Sequence, residues 1–360
     1  MTGRFYAIVP AGGSGTRLWP LSRAARPKFL LPLPGPRSMI QETIARLTPL
    51  ASERDIFIIT GARHGDAVQL QLPDLTPEQF IVEPLPRGSG PAIGLATAII
   101  AQRDPDAIVG SFAADHVVEH PERFVQAVRA AIATAADGYL VTIGIHPTYP
   151  ETGFGYIHCG APLGERAGSQ VFSVDEFKEK PDLETATRYV SGGNYLWNAS
   201  MFVWQARALL AEMRRLLPEL SDALEHIAVD WDSPRRAETL AAIWPTVQDV
   251  TIDHGILEHA ARVAVVPADL GWTDLGDWNG YGNVAATASE PNLVAGAELL
   301  ALDASGAVVI GNGRLIALVG IDNVIIIDTN DALLVCERSR AQDVKAVVDE
   351  LKRRGSTHLI

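Results

Sequence analysis

Pro10-Ala-Gly-Gly-Ser-Gly-Thr-Arg-Leu-Trp-Pro-Leu-Ser-Arg23 follows directly on an apolar run, Phe5–Pro10, of strand length. Glycines at 12, 13 and 15 let backbone N–H groups come close to phosphate oxygens, and Arg17 and Lys28 add positive charge to the same stretch. Two lookalikes fail on spacing. A dinucleotide fold needs G-x-G-x-x-G, but the third position falls on Leu18, and no acidic ribose ligand stands ~20 residues on. A P-loop needs Gly-Lys-Ser/Thr, and the chain has no Gly-Lys pair. The bland alternative, a plain glycine turn, is weakened by the adjacent basic residues.

Outward from this loop, short β-rich runs alternate with helix-like ones as far as about residue 145: FYAIVP, DIFIIT, FIVEP, AIVGSFAADH and YLVTIGI are the strand-like runs. Strands separated by helices imply right-handed crossovers and a mostly parallel sheet with helices on both faces. Ser38 with Gln41 spells a capping box for the first long helix. Ligands of open α/β sheets lie outside the carboxyl ends of the strands, so loops 11–28, 83–90 and 113–116 are expected to line one crevice. Between about 148 and 278 the pattern is mixed, with strand-like segments at Phe154–His158, Val171–Phe177 and Met201–Trp204 and helices at Asp182–Ser191, Ala206–Leu217 and Ser233–Ile243. This reads as an insertion walling the crevice. Beyond about Tyr281, AVVIG, LIALVG, NVIIID and ALLVC repeat at strand-plus-turn spacing before a helix at Ala341–Arg353. The expected fold is therefore α/β, a Rossmann-like, mostly parallel mixed sheet flanked by helices over 1–282. A small all-β, β-helix-like domain follows over 283–360.

Composition narrows the function classes. At 360 residues, 47% hydrophobic and 20% charged, the chain can bury a real core, and its apolar stretches fall short of the ~20 residues a membrane span needs. A net charge of −13 speaks against nucleic acid as a partner. Yet residues 1–41 hold six of the 30 basic residues and none of the 43 acidic ones, a local cationic island that suits a small polyanion. Cys159 and Cys336 fit no metal spacing or disulfide framework, and no export signal is legible, so a reducing cytoplasm is expected.

At these residues the sequence resembles the sugar-nucleotide pyrophosphorylases, and specifically the mannose-1-phosphate guanylyltransferases. Their signature stands here as Gly12–Arg23 with Pro27-Lys28, and Trp19 favours the mannose branch. Further blocks follow in family order: Glu83-Pro84 with Arg87 and Pro91-Ala92; Ala114-Asp115-His116; Pro150–Ile157; Phe177-Lys-Glu-Lys-Pro181; Gly193–Asn198; Met201-Phe202; Gly271–Gly276; and Asn323–Val348. Arg87-Gly-Ser-Gly-Pro-Ala92 stands where the family usually has Arg-Asn-Thr-Ala-Pro-Ala. Likewise Asn198-Ala-Ser-Met201 stands for Asn-Ser-Gly-Met, and Phe29 for a common Gln. Some relatives carry a cupin-type isomerase domain, and the chain is expected to lack one.

The resemblance implies GTP and mannose 1-phosphate as substrates, with GDP-mannose and pyrophosphate as products. Such a step needs two anions brought together and charge offset on the transferring phosphoryl. It implies that Gly12, Gly13, Gly15 and Thr16 cradle the nucleotide, with Arg17 on its phosphates and Lys28 toward the α-phosphoryl. Asp115 and Asp274 are expected to hold Mg²⁺, with Mn²⁺ as a substitute, because that ion takes only one or two carboxylates beside substrate phosphates. His116 and His120 lack a third ligand and read as structural. Gly155 is expected to admit the sugar ring, Glu179 and Asn198 to hold its hydroxyls and Lys180 its phosphate. Glu83 can accept from guanine N1 and N2, with Arg87 on the same loop. A homodimer is the expected assembly. Competing readings are a pyrophosphorylase for another sugar phosphate or base, and a regulatory subunit that binds sugar nucleotides without turnover. The second is disfavoured because Arg17, Lys28, Asp115 and Asp274 are all present.

Overall fold

The apolar run ahead of the glycine loop is strand β1 (Phe5–Ala11). It pairs in parallel with β2 (Ile56–Gly61) on one side and β4 (Ile108–Phe112) on the other, and β2 pairs in parallel with β3 (Phe80–Glu83). Every residue of β4 is buried, as a central strand covered on both faces requires. The crossovers carry helices α1 (Met39–Leu47), α2 (Gly65–Gln71) and α3 (Ser89–Arg103). The capping box ahead of α1 is formed: Ser38 N donates to Gln41 Oε1 at 3.0 Å and Gln41 N to Ser38 Oγ at 3.4 Å. The computed structural model describes residues 3–13, 15–285 and 291–360.

Beyond β4 come α4 (Pro121–Ala135), β5 (Leu140–Ile145), β6 (Gly155–Arg166), β7 (Ser169–Glu179), α5 (Leu183–Gly192), β8 (Tyr195–Gln205) and later β9 (Val263–Ala268). Here the outcome differs from the expected wall: these strands complete one nine-stranded sheet in the order β3-β2-β1-β4-β8-β5-β9-β7-β6. Strand β8 enters the middle antiparallel to both β4 and β5, while β9 runs parallel to β5. A strand at that position must be buried on both faces, and β8 nearly is. Asn198 and Ser200 interrupt its apolar run, so the sequence shows only the half from Met201 onward.

Three helices follow β8: α6 (Ala206–Leu216), α7 (Pro218–Asp230) and α8 (Arg236–Ile243). Helix α3 packs against α6 and α7 and is apolar all round, as a helix enclosed on every side must be. The resulting core gathers Ile93, Ile99, Phe202, Trp204, Leu224 and Trp244.

By packing, the chain divides into two compact units. One is Met1–Gly12, Thr43–Ala114 and Val118–Trp272, which contains the nine-stranded sheet. The other joins Gly13–Glu42, Asp115–Val117 and Thr273–Ile360. This second unit holds α9 (Trp278–Ala285), then β10 (Leu293–Ala295), β11 (Glu298–Leu302), β12 (Val308–Ile310), β13 (Leu315–Val319), β14 (Val324–Asp328), β15 (Leu333–Glu337) and α10 (Val344–Arg353). Strands β10, β12 and β14 stack in parallel with β15 antiparallel at the edge, and β11 pairs in parallel with β13. Successive short strands thus alternate between two sheets around Ala307, Val309, Leu318, Val324 and Ile326, the coil that the repeat spacing implies.

Candidate active site

In the second unit the glycine loop turns sharply: Gly13 has φ 84° and Gly15 φ 59°, followed by one 3-10 turn at Thr16–Leu18. Leu18 N and Ser22 Oγ both donate to the Gly15 carbonyl, at 2.9 and 2.6 Å. A Cβ on Gly15 would lie 2.5 Å from Lys28 Cβ, so only glycine lets the loop backbone rest against that lysine. Lys28 is buried, 6% exposed. Its Nζ stands 2.9 Å from Asp115 Oδ2 and donates to the main-chain carbonyl of Asp274. One ammonium thereby ties together two residues far apart in sequence. Burial opposes ionisation of Asp115, but the Lys28 ammonium, with His116 beside it, outweighs that and holds the carboxyl below its ordinary value.

Asp274 sits in a tight turn whose next residue, Leu275, is fully buried at φ 47°, a conformation that costs a non-glycine residue about 1–2 kcal/mol. The site a Cβ would take on Gly276 is 3.2 Å from Asp274 Oδ1 and 3.7 Å from Arg17 Nη1, which puts the guanidinium beside the same turn. Arg17 is exposed and makes no hydrogen bond or ion pair among the described residues. A buried ammonium, an exposed guanidinium and two carboxylates form a charge-balanced set, which would take a polyanion once a cation offset the carboxylates. The donor chemistry also suits a hard divalent cation: Asp115 and Asp274 are joined through one lysine, which meets the carboxylate of the first and the main-chain carbonyl of the second, and two carboxylates leave the other positions of such an ion to phosphate oxygens. His116 is buried at 8% exposure.

In the first unit Gly155 and Glu179 are register partners at the ends of β6 and β7. A Cβ on Gly155 would lie 2.5 Å from Glu179 Oε2 and 3.3 Å from Asn198 Cβ, so the missing side chain leaves the space over these two groups. Lys180, at φ 47°, places Nζ 2.9 Å from Glu179 Oε1. Asn198 is already engaged: its Oδ1 accepts from Thr142 Oγ1 at 3.0 Å and Ser200 N at 3.1 Å, and its Nδ2 donates to Asp253 Oδ1 at 2.9 Å. Asp253, which sequence reasoning missed, thus joins the group. Burial, then the neighbouring Glu179 carboxylate, pushes its carboxyl up to about 6. It opens a single π-helical turn, Asp253–Leu257, a geometry enriched at functional sites but without a sequence signature.

Glu83 ends β3. Its Oε1 is buried without a hydrogen-bond partner among the described residues, and burial pushes its carboxyl up to about 7. Arg87 plays a part that the sequence did not suggest: its Nη2 donates to the Pro245 carbonyl at 2.5 Å. With Trp244 Nε1 on the Leu85 carbonyl (2.7 Å) and Gly90 N on that of Val250 (2.9 Å), it straps loop 84–90 to residues 244–250. The candidates therefore fall into groups: Gly15, Arg17, Lys28, Asp115 and Asp274 around one lysine, with Gly12, Gly13 and Thr16 on the adjoining loop; Gly155, Glu179, Lys180 and Asn198 around one gap; Glu83 and Arg87 on one connection.

Residues 6–290 match the nucleotidyl transferase family, and residues 297–351 match the MannoseP isomerase/GMP-like beta-helix domain. The xanthan biosynthesis protein XanB of Xanthomonas campestris pv. campestris is 38% identical over 353 residues, 97% of this chain and 73% of that protein. Mannose-1-phosphate guanylyltransferase RfbM of Salmonella typhimurium is 38% identical over 357 residues, again 97% of this chain and 73% of that one. A crystal structure described as mannose-1-phosphate geranyltransferase from Thermus thermophilus superimposes with a TM-score of 0.87 at 30% identity, covering 97% of this chain and 99% of the other. Likeness of that extent in sequence and fold, added to the signature loop, means that the protein belongs to the nucleotidyl transferase family and, within it, to the mannose-1-phosphate guanylyltransferases.

Proposed function

We propose that the enzyme transfers GMP from GTP to mannose 1-phosphate, forming GDP-mannose and pyrophosphate. The observation that carries the reading is the Lys28 ammonium held between Asp115 and Asp274, beside the exposed Arg17. An oxygen of the sugar phosphate attacks the α-phosphorus in line. The bond from that phosphorus to the α–β bridging oxygen breaks, and pyrophosphate leaves with the electron pair. Lys28 offsets charge on the transferring phosphoryl, and Arg17 does so on the departing phosphates. Asp115 and Asp274 would hold Mg²⁺ or Mn²⁺, which when bound neutralises phosphate charge. Backbone N–H groups of the loop from Gly12 to Thr16 cradle the nucleotide.

Glu179 accepts from sugar hydroxyls, Lys180 meets the sugar phosphate, Gly155 admits the ring, and Asn198 holds Asp253 toward the same gap. Glu83 accepts from guanine N1–H and N2–H, with Arg87 shaping its loop. Residues 1–282 are the catalytic domain in this reading and 283–360 its β-rich companion, in a cytoplasmic homodimer. No helix among the described residues is long and apolar enough to cross a membrane.

A panel of nucleoside triphosphates against hexose 1-phosphates, read by released pyrophosphate, tests the assignment. GTP with mannose 1-phosphate is expected to dominate, EDTA to abolish turnover, and Lys28→Ala to lower it by at least ~10²-fold with the fold intact. Preference for another pair, or full activity in EDTA, would overturn it.

A further inference from the structure

The loop that carries Arg17 and Lys28 is exposed at Gly12, Gly13 and Arg17, and its internal hydrogen bonds close only short turns. Such a segment does not by itself hold two charges in a fixed relation. In this protein it is gripped from residues between 259 and 340 positions away. Trp19 is 7% exposed, and its Nε1 donates to the Leu359 carbonyl at 2.7 Å. The Trp19 carbonyl in turn accepts from Nε1 of the fully buried Trp278 at 2.8 Å. Four residues on, the Arg23 guanidinium lies over the Trp19 ring at 5.5 Å, donates to the Pro20 carbonyl at 2.6 Å and pairs with Asp331 at 2.9 Å.

Apolar contacts follow the same course. Leu18, Trp19, Leu31, Leu33 and Met39 share one buried cluster with Val308, Ile325, Ile327, Leu334, Val344 and Val348, and α10 packs against the Thr16–Leu18 turn. The segment is therefore fixed just after each of its charges: at 18–19 after Arg17, and at 31–33 after Lys28.

We propose that Trp19 is a positioning residue, and that the β-coil and α10 act as the clamp that holds the glycine loop, through Trp19, in its phosphate-binding geometry. This accounts for the tryptophan within the Gly12–Arg23 motif. It also gives the C-terminal strands a part in the transfer step without their touching substrate. Catalysis by placement of charge is sensitive to sub-ångström slack in the groups that carry it, so loosening the clamp lowers kcat more than it lowers stability. The kinetic consequence rests on the function proposed above; the clamping itself does not.

Trp19→Phe removes the indole N–H while keeping an aromatic body in the cluster, and Asp331→Ala removes the exposed partner of Arg23. Hydrogen exchange of the full-length protein over residues 12–30, without substrate, reads the clamp directly. Faster exchange there in both variants, with the nine-stranded sheet unchanged, is expected. In steady-state kinetics with GTP and mannose 1-phosphate, Trp19→Phe should lower kcat roughly tenfold, with KM for the sugar phosphate within about twofold and Tm within a few degrees. Asp331→Glu should restore part of what Asp331→Ala loses. Unchanged loop exchange in both variants overturns the clamp whatever the enzyme's substrate. Faster exchange with unaltered kcat overturns the positioning role of Trp19. A wild-type protein inactive on this pair would strike the substrate assignment alone, leaving the exchange result to decide the clamp.

Discussion

Asp253 and Glu83 are carboxyls whose surroundings favour the proton, and that preference has a measurable sign. Their folded-state values of about 6 and about 7 stand above the ordinary 3.8 and 4.5. The native state therefore binds more protons than the unfolded state between about pH 4 and 7, and stability falls as pH rises through that window. Both groups keep some contact with solvent, so each costs on the order of 1–2 kcal/mol of stability at pH 8 rather than the full value of its shift. Asp253→Asn and Glu83→Gln should each flatten that decline and raise the midpoint of the ligand-free protein at pH 8. Urea melts at pH 4.5 and pH 8 check this, and an undiminished slope in the variants would refute it. The two residues also show what a sequence can disclose. Glu83 is legible because Glu83-Pro84 is one of the family blocks and a carboxylate suits guanine N1 and N2. Asp253 is not, because its raised value comes from its burial in the folded protein and then from Glu179, and its position from Asn198, both remote in the chain.

At the scale of the element, the glycine loop makes a sharper prediction than its motif does, since its glycines serve different ends. A Cβ on Gly15 would both force φ 59° on an alanine and press on Lys28, whereas a Cβ on Gly12 meets nothing within 4 Å. Gly15→Ala should destabilise the free enzyme by about 1–3 kcal/mol and lower kcat at least ~10-fold. Gly12→Ala should leave the melting curve of the free enzyme unmoved and act only when nucleotide is present, as a raised KM for GTP. Parallel melts and kinetics distinguish them; equal effects would mean that the loop has no separate structural and ligand-facing glycines. Elements with local signals were legible: β1, the capping box of α1, and the helix expected from Asp182, where the structure has Asp182 as the N-cap of α5, its Oδ1 accepting from Thr185 N at 2.8 Å. Helix α7 was not, because Pro218 reads as a stop after α6 but serves as the first residue of a new helix, where its missing N–H costs nothing. Strand β8 was only half legible, since its polar residues serve the site rather than the sheet.

Across the whole molecule, sequence order and packing order differ. The family blocks made the fold legible over nearly the full length, but not that residues 13–42 share a hydrophobic cluster with 308–348. The cationic island likewise looked uniform, although Arg4 and Arg23 are spent on Asp55 and Asp331, leaving Arg17 and Lys28 at the turn of Asp274. Such pairings arise from three-dimensional closure, which periodicity does not record. They also predict how the chain responds to being shortened. A protein ending at residue 285 keeps every proposed catalytic residue but loses Val308, Ile325, Ile327, Leu334, Val344 and Val348, against which Leu18, Trp19, Leu31 and Leu33 are buried. The nine-stranded sheet, whose core draws on none of these, should persist, with far-ultraviolet circular dichroism and exchange protection of β1, β4 and β5 intact. Residues 13–39 should exchange freely, the exposed leucines and Trp19 should bind a hydrophobic dye, and turnover should fall by at least ~10²-fold, because Arg17 and Lys28 are no longer held to the Asp274 turn. A shortened enzyme with near-wild-type turnover and a protected loop would show that the glycine loop holds itself, and that its burial among C-terminal side chains is packing without mechanistic consequence.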